Sequence, residues 1–331
     1  MRSFDRKVFF FILVTVLILM VSACQGNGPH AYSYLPTVTP VTPSVTPQAG
    51  ETATAEVPAA SQQATPAGTG PAPTATLRTA PADMDWRAAP ILPETISQRV
   101  LDIYRDGQAQ GRDPHAFSVI GDCQAIPFVF MGPFERGEQV PDSTEGHLYD
   151  AIDYFAGSFN RSGMAAHGGF TAASILNPVN ADPYYCIAGE TPLTCEYRLH
   201  NPAFVLISLE TWLEPETVDR YEIYLRAILD YVIARGSVPI LLTKADASEA
   251  GTGQHVINPI VVRVAYEYDL PVVNFWRAAQ YLDNYGIDAS REGFHLSEAG
   301  YDLKNILALR ALYQVWQAVG GSQAAGPGTP A

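Results

Sequence analysis

Phe117-Ser118-Val119-Ile120-Gly121-Asp122-Cys123-Gln124 decides how this chain folds. Apolar and small residues run into Gly-Asp, and a nucleophilic side chain follows. A buried parallel strand ending in a tight turn reads this way, and parallel sheets hold their ligands just beyond the carboxyl ends of their strands. Cys123 therefore falls where chemistry is expected. A small residue packed beneath a loop also suits that place, so the role of Cys123 depends on the rest of the chain.

Strand and helix signals alternate outward from this stretch. Ile96, Val100 and Ile103 space out one face of a helix over Pro93 to Arg105, before a strand at Ala116 to Ile120. Leu148, Ile152 and Phe155 do the same for Gly146 to Phe159. Ala203 to Ser208 is a continuous apolar run, as a strand covered on both faces requires. A helix follows over Pro215 to Ala234, closed by Gly236. Val238 to Thr243 is the next strand, with Pro239 near its start where a missing donor is tolerated. Asn258 to Tyr268 reads as helix, Leu270 to Asn274 as strand, and Ser297 to Val319 as the closing helix. This alternation predicts a three-layer α/β/α sandwich around a mainly parallel sheet, occupying residues 86–319.

The flanks differ. Arg2, Arg6 and Lys7 precede an apolar run from Val8 to Val21, which Ser22-Ala23-Cys24 closes. A basic start, a short apolar core and small residues at the cut describe a secretory signal over residues 1–23, and the run is short for a membrane span. A Cys directly after small residues resembles a bacterial lipobox, which implies diacylation of Cys24 and anchoring in membrane lipid on the extracytoplasmic side. An uncleaved anchor with an incidental Cys is the alternative. Residues 24–85 repeat Thr-Pro pairs among Ala, Gly and Ser, the composition of a disordered tether. Residues 320–331 read as a second small-residue tail.

With Cys24 assigned to lipid, Cys123, Cys186 and Cys195 remain. Cys186 and Cys195 flank a Gly/Pro-containing loop, and an oxidising compartment favours their disulfide, which leaves Cys123 as the odd thiol. Pairing of Cys123 with either of them is also open at this point. The chain carries 34 acidic and 20 basic residues, a formal net charge of -14, with no basic cluster beyond residue seven. Nucleic acid is thus not an expected partner. His115 and His147 lack metal-ligand spacing, and no HExxH or CxxC occurs, so neither metal nor other cofactor is expected. The oligomeric state is not legible.

A second motif lies near the other end: Glu292-Gly293-Phe294-His295-Leu296-Ser297-Glu298-Ala299-Gly300-Tyr301. With Gly121-Asp122-Cys123 it resembles the SGNH (GDSL-like) hydrolase family, over about Ala116 to Ala318. That family pairs a Gly-Asp-Ser nucleophile after the first strand with Asp-x-x-His before the last helix. The resemblance implies Cys123 as nucleophile, His295 as general base and Glu292 as the carboxylate that orients it. It implies Gly169, or its neighbour Gly168, as an oxyanion amide. Asp122 reads as a structural turn residue, and Phe294, Trp276 and Trp212 as candidate cleft aromatics.

Two departures from the family stand out. Cys replaces Ser at 123, which changes the covalent intermediate to a thioester. Where the family shows Gly-x-Asn-Asp, this chain reads Ser208-Leu209-Glu210-Thr211-Trp212. Loss of such an Asn donor costs roughly 10²–10³-fold in rate, and Thr211 and Trp212 are the candidates to replace it. Two functions follow: a membrane-tethered hydrolase of esters or thioesters, such as O-acetyl groups on carbohydrate, or an inactive SGNH-like module that binds glycans. A redox role for the Cys123 thiol is a third.

Overall fold

The computed structural model describes residues 77–211, 218–245, 256–291 and 293–320. Cys24, the signal segment, the expected tether up to residue 76, Trp212, Glu292 and the tail from residue 321 lie outside them. Among the described residues, no helix is long and apolar enough to cross a membrane.

Four strands form one parallel sheet in the order β1 (Asp113–Gly121), β2 (Pro202–Ser208), β3 (Val238–Leu242) and β4 (Val272–Val273). Phe117 sits opposite Phe204, Gly121 opposite Ser208, Leu206 opposite Ile240 and Leu242 opposite Val273. On the other edge of β1, Gly121 makes a single parallel bridge to Ala166. All seven residues of β2 are buried, as its unbroken apolar run requires of a strand covered on both faces.

Helices α1 (Gln98–Ala109), α2 (Leu148–Tyr154) and α6 (Glu298–Ala318) cover one face. There Tyr104 stacks on Phe204 at 5.5 Å, Phe155 meets Phe204 edge-on at 5.3 Å, and Trp316 packs on Phe155 at 6.0 Å. Helices α3 (Pro192–His200), α4 (Val218–Ala234) and α5 (Ile257–Tyr268) cover the other. Between α4 and α5, Arg226 and Arg263 both pair with Glu222 and Glu267. The three-layer α/β/α sandwich around a parallel sheet is the architecture expected from the alternating pattern.

Element ends differ from the sequence reading, each for a local reason. The first helix begins at Gln98, because the Ser97 side chain accepts from Val100 N and caps it there, and it runs on to Ala109. The expected helix over Gly146 to Phe159 shortens to Leu148–Tyr154, and the last strand to Val272–Val273. Asn274 leaves that strand to cap the next turn, its Oδ1 accepting from Arg277 N. The start of the helix expected from Pro215 lies outside the described residues. The closing helix starts at Glu298, with Ser297 as its cap. Arg78, within the stretch read as tether, donates N–H to Glu267 O and pairs with Asp269 at 2.7 Å.

Gly107 sits inside α1, where helix propensity alone favours Ala by about 1 kcal/mol. A Cβ there would lie 2.0 Å from the Gly236 carbonyl oxygen and 2.8 Å from its carbon. Backbone cannot swing aside as a side-chain tip can. Gly107→Ala is therefore expected to destabilise the protein by about 1–3 kcal/mol, reversing the propensity effect, as read from urea unfolding midpoints.

Candidate functional site

The site lies at the carboxyl ends of β1, β2 and β3. Gly121 ends β1 pressed against β2: a Cβ on it would fall 2.3 Å from Ala125 Cβ and 2.6 Å from Ser208 O. Only glycine allows the two strand ends this close. The next residue, Asp122, is fully buried, and its carboxylate accepts three bonds. Oδ1 takes the Gln124 N–H at 3.0 Å, while Oδ2 takes the Glu210 N–H at 2.8 Å and the Thr211 hydroxyl at 2.9 Å. Asp122 thus shapes its own turn and fastens it to the end of β2, beyond the local structural role read from sequence.

Beneath that turn lies a buried polar network. Glu210 accepts from the Ser208 hydroxyl at 2.7 Å and from Gln124 Nε2 at 3.1 Å, and forms an ion pair with Lys304 of α6. Lys304 Nζ also donates to Gln124 O at 3.0 Å. From the end of β3, Lys244 Nζ donates to Glu210 O at 2.8 Å. All five side chains, Asp122, Gln124, Glu210, Lys244 and Lys304, are at most 1% exposed. Two carboxyls against two ammonium groups suit a region where isolated charge is costly.

His295 joins this network through its neighbours. Gln124 Nε2 donates to Phe294 O at 3.0 Å, and Gln124 Oε1 accepts from Leu296 N at 3.2 Å. One amide therefore grips the backbone on both sides of His295 and follows Cys123 directly in sequence. On the outer side, Asp288 N donates to His295 O at 3.0 Å, and Ile287 bridges to Leu296. Cys123 and His295 are both buried, at 6% and 4% exposure. Burial first, then the nearby Glu210 carboxyl and Cys123, push the Tyr301 hydroxyl pKa upward, which places Tyr301 in the same surroundings.

The other expected site residues are placed as follows. The Cys186–Cys195 disulfide is present, and Cys123 is a buried thiol outside it. Gly169 has a φ of +83°, in the loop that begins where Ala166 bridges Gly121 and His167 N donates to Gly121 O. The Thr211 hydroxyl donates to Asp122. Phe294 faces the Lys244 ammonium at 5.2 Å, and Trp276 packs edge-on against Trp86 at 4.7 Å. His115 stacks on Tyr154 and His147 meets Tyr313, both through ring contacts. Among the described residues, the one cluster with metal-ligand proximity, Cys186, Glu190 and Cys195, has both sulfurs committed to the disulfide.

Sequence reasoning missed Lys304, Lys244 and the roles of Gln124 and Glu210. A signal for Lys304 existed. It lies at helical spacing with Leu307, Ala308 and Ala311, all buried, so a lysine occupies a core position of α6. A lysine so placed needs a buried partner, and Glu210 is the acidic residue just beyond the apolar run of β2.

Fold and site together define an α/β/α domain that brings a cysteine, a histidine and a buried charge network to the carboxyl edge of a parallel sheet. No family model matches the chain, and no curated protein matches it. Solved structures do. A protein of the G-D-S-L family from Desulfitobacterium hafniense matches at 16% identity and a TM-score of 0.37, over 59% of this chain and 98% of that one. A two-domain esterase active on acetylated mannans matches at 16% identity and 0.39, over 72% of this chain and 59% of that one. The same esterase crystallised with mannopentaose matches at 17% identity and 0.37, over 71% and 56%.

Two outcomes follow from the network. Lys304→Met leaves Glu210 buried without its ion-pair partner and is expected to cost about 3–5 kcal/mol of stability; adding Glu210→Gln should recover part of that loss. Burial first, then the Glu210 carboxylate, push the Asp122 pKa up to about 6, against Lys304 and two backbone N–H groups that pull it down. The folded protein thus holds this proton more tightly than the unfolded chain does. The resulting stabilisation is full below about pH 4 and fades as pH rises through about 6. Asp122→Asn is expected to remove that fall, measured as urea midpoint against pH.

Proposed function

We propose that this protein is an acyl hydrolase of the SGNH type, acting on esters or thioesters with Cys123 as nucleophile. The observation that carries the reading is the Gln124 amide, which binds the residue after Cys123 to both neighbours of His295. Two sequence motifs 172 residues apart are thereby held at one place. In the reaction Cys123 Sγ attacks the acyl carbon and its proton passes to His295. His295 then protonates the departing alcohol or thiol. Water, deprotonated by His295, attacks the thioester and releases the acid, which restores the thiol. Glu292 orients the imidazole, and the Cys123 and Gly169 N–H groups hold the oxyanion. A sugar hydroxyl in place of water would make the same chemistry an acyl transfer.

The substrate in this reading is an O-acetylated carbohydrate met outside the cytoplasm. The basic start, apolar run and Ser22-Ala23-Cys24 ending support a protein anchored in membrane lipid through Cys24, with residues 24–85 as its tether.

A second reading, an inactive glycan-binding module, is favoured by one contact. The Thr211 hydroxyl has a single proton and gives it to Asp122, so that proton is not available to an oxyanion. An activated acetyl ester separates the two. Cys123→Ala and His295→Ala are each expected to lower hydrolysis by about 10²-fold or more, and a Cys123-linked acyl adduct should appear by intact mass in the wild type. Wild-type turnover no faster than that of the two variants, with no adduct, leaves the binding module standing.

A further inference from the structure

We propose that Gln124 is a positioning residue that sets the Cys123–His295 pairing and links it to the buried Glu210–Lys304 ion pair; the inference rests on the thiol–imidazole reading above. Its side chain has two amide protons and one carbonyl oxygen, and the structure gives each a partner. The Nε2 protons go to Phe294 O at 3.0 Å and to Glu210 Oε2 at 3.1 Å. Oε1 receives the Leu296 N–H at 3.2 Å. A flipped amide would set its oxygen against a carboxylate and a carbonyl and its NH₂ against an N–H, three repulsive contacts for three attractive ones. The orientation is therefore locked, in a side chain with no exposed surface.

The backbone of Gln124 is held equally firmly. Its N–H goes to Asp122 Oδ1 and its carbonyl accepts from Lys304 Nζ. Cys123 is thus enclosed between two residues whose positions the network dictates. Phe294 and Leu296, on either side of His295, are bonded to the same amide, so one glutamine sets how far the His295 backbone stands from the turn that carries Cys123. Asn falls one methylene short of that reach. Glu would place a second carboxylate against Glu210. Met fills the space but gives up both bonds to the His295 segment, which is then held only from its Ile287–Asp288 side.

The test compares wild type, Gln124→Met, Gln124→Asn and His295→Ala in the full chain. Each is followed by thermal unfolding, by the pH profile of Cys123 alkylation with iodoacetamide, and by the rate of acylation from an activated thioester. Burial and the nearby Asp122 and Glu210 carboxyls push the Cys123 thiol up and the His295 imidazole offsets them, so the profile is expected to move to higher pH in His295→Ala than in wild type. Gln124→Met should give the same rise and at least a tenfold slower acylation at saturating thioester, with KM changed less than twofold. Should the Met variant not fold, the Asn variant is read for the same changes. A folded Gln124 variant with wild-type profile and acylation rate overturns the inference. So does a wild-type profile identical to that of His295→Ala, because no pairing then exists to be set. Absence of turnover with the profile difference intact and lost in Gln124→Met overturns only the hydrolase reading and leaves this one supported.

Discussion

The ion pair between Glu210 and Lys304 is the constraint on which the carboxyl edge of this sheet depends. Both side chains are essentially without solvent contact, and one comes from the end of β2 while the other comes from the first turns of α6. Removing two charges from water costs several kcal/mol per ion, and their attraction offsets this only where further hydrogen bonds complete the shell. Here they do. Ser208 and Gln124 complete Glu210, and the Gln124 carbonyl completes Lys304. The pair contributes little net stability by this reasoning, but it strongly penalises any arrangement in which the helix and the strand end are misaligned.

That penalty reaches every loop at the site. Asp122 ties the turn after β1 to the end of β2, Lys244 ties the end of β3 to the same place, and Gln124 ties in the segment around His295. Separate loops at a sheet edge are ordinarily the most mobile part of an α/β domain. Here they share acceptors and donors in a region of low dielectric, where each bond is stronger and each unmade bond more costly. Such a network suits a site that must hold two side chains from distant parts of the chain in fixed relation. It also suits a binding cleft, and the acyl-transfer chemistry proposed for Cys123 is a separate matter from the rigidity that surrounds it.

Much of this was legible in the residues. The fully buried β2 follows from an apolar run that leaves no face for water, and the turn after β1 from Gly121-Asp122, whereas the close approach of Gly121 to Ser208 is set by the fold. The Cys186–Cys195 bond is the pairing that two cysteines around a short loop favour, over the open alternative of a bond to Cys123. The ends of helices were less so, because Ser97 outweighed the apolar spacing that began earlier, and Asn274 turned from strand to cap. The polar network leaves no local pattern in the residues. Asp122 reads as a residue serving its own turn, whereas two of its three bonds cross to the segment just after β2, and Thr211 reads as a candidate oxyanion donor, whereas its hydroxyl donates to Asp122.

The sequence by itself determined the alternating layers, the strand that ends in Gly121-Asp122-Cys123 and the helix that opens after His295. Each depends on local pattern: side-chain period, chain punctuation and capping residues act over a few positions and leave a mark there. Tertiary structure alone decided that Gln124 would grip Phe294 and Leu296, and that Glu210 would face Lys304. Those bonds join residues 94 to 172 positions apart. Hydrogen bonding carries no sequence period, and a glutamine after a cysteine looks the same whether its amide meets water or a backbone brought to it by the fold.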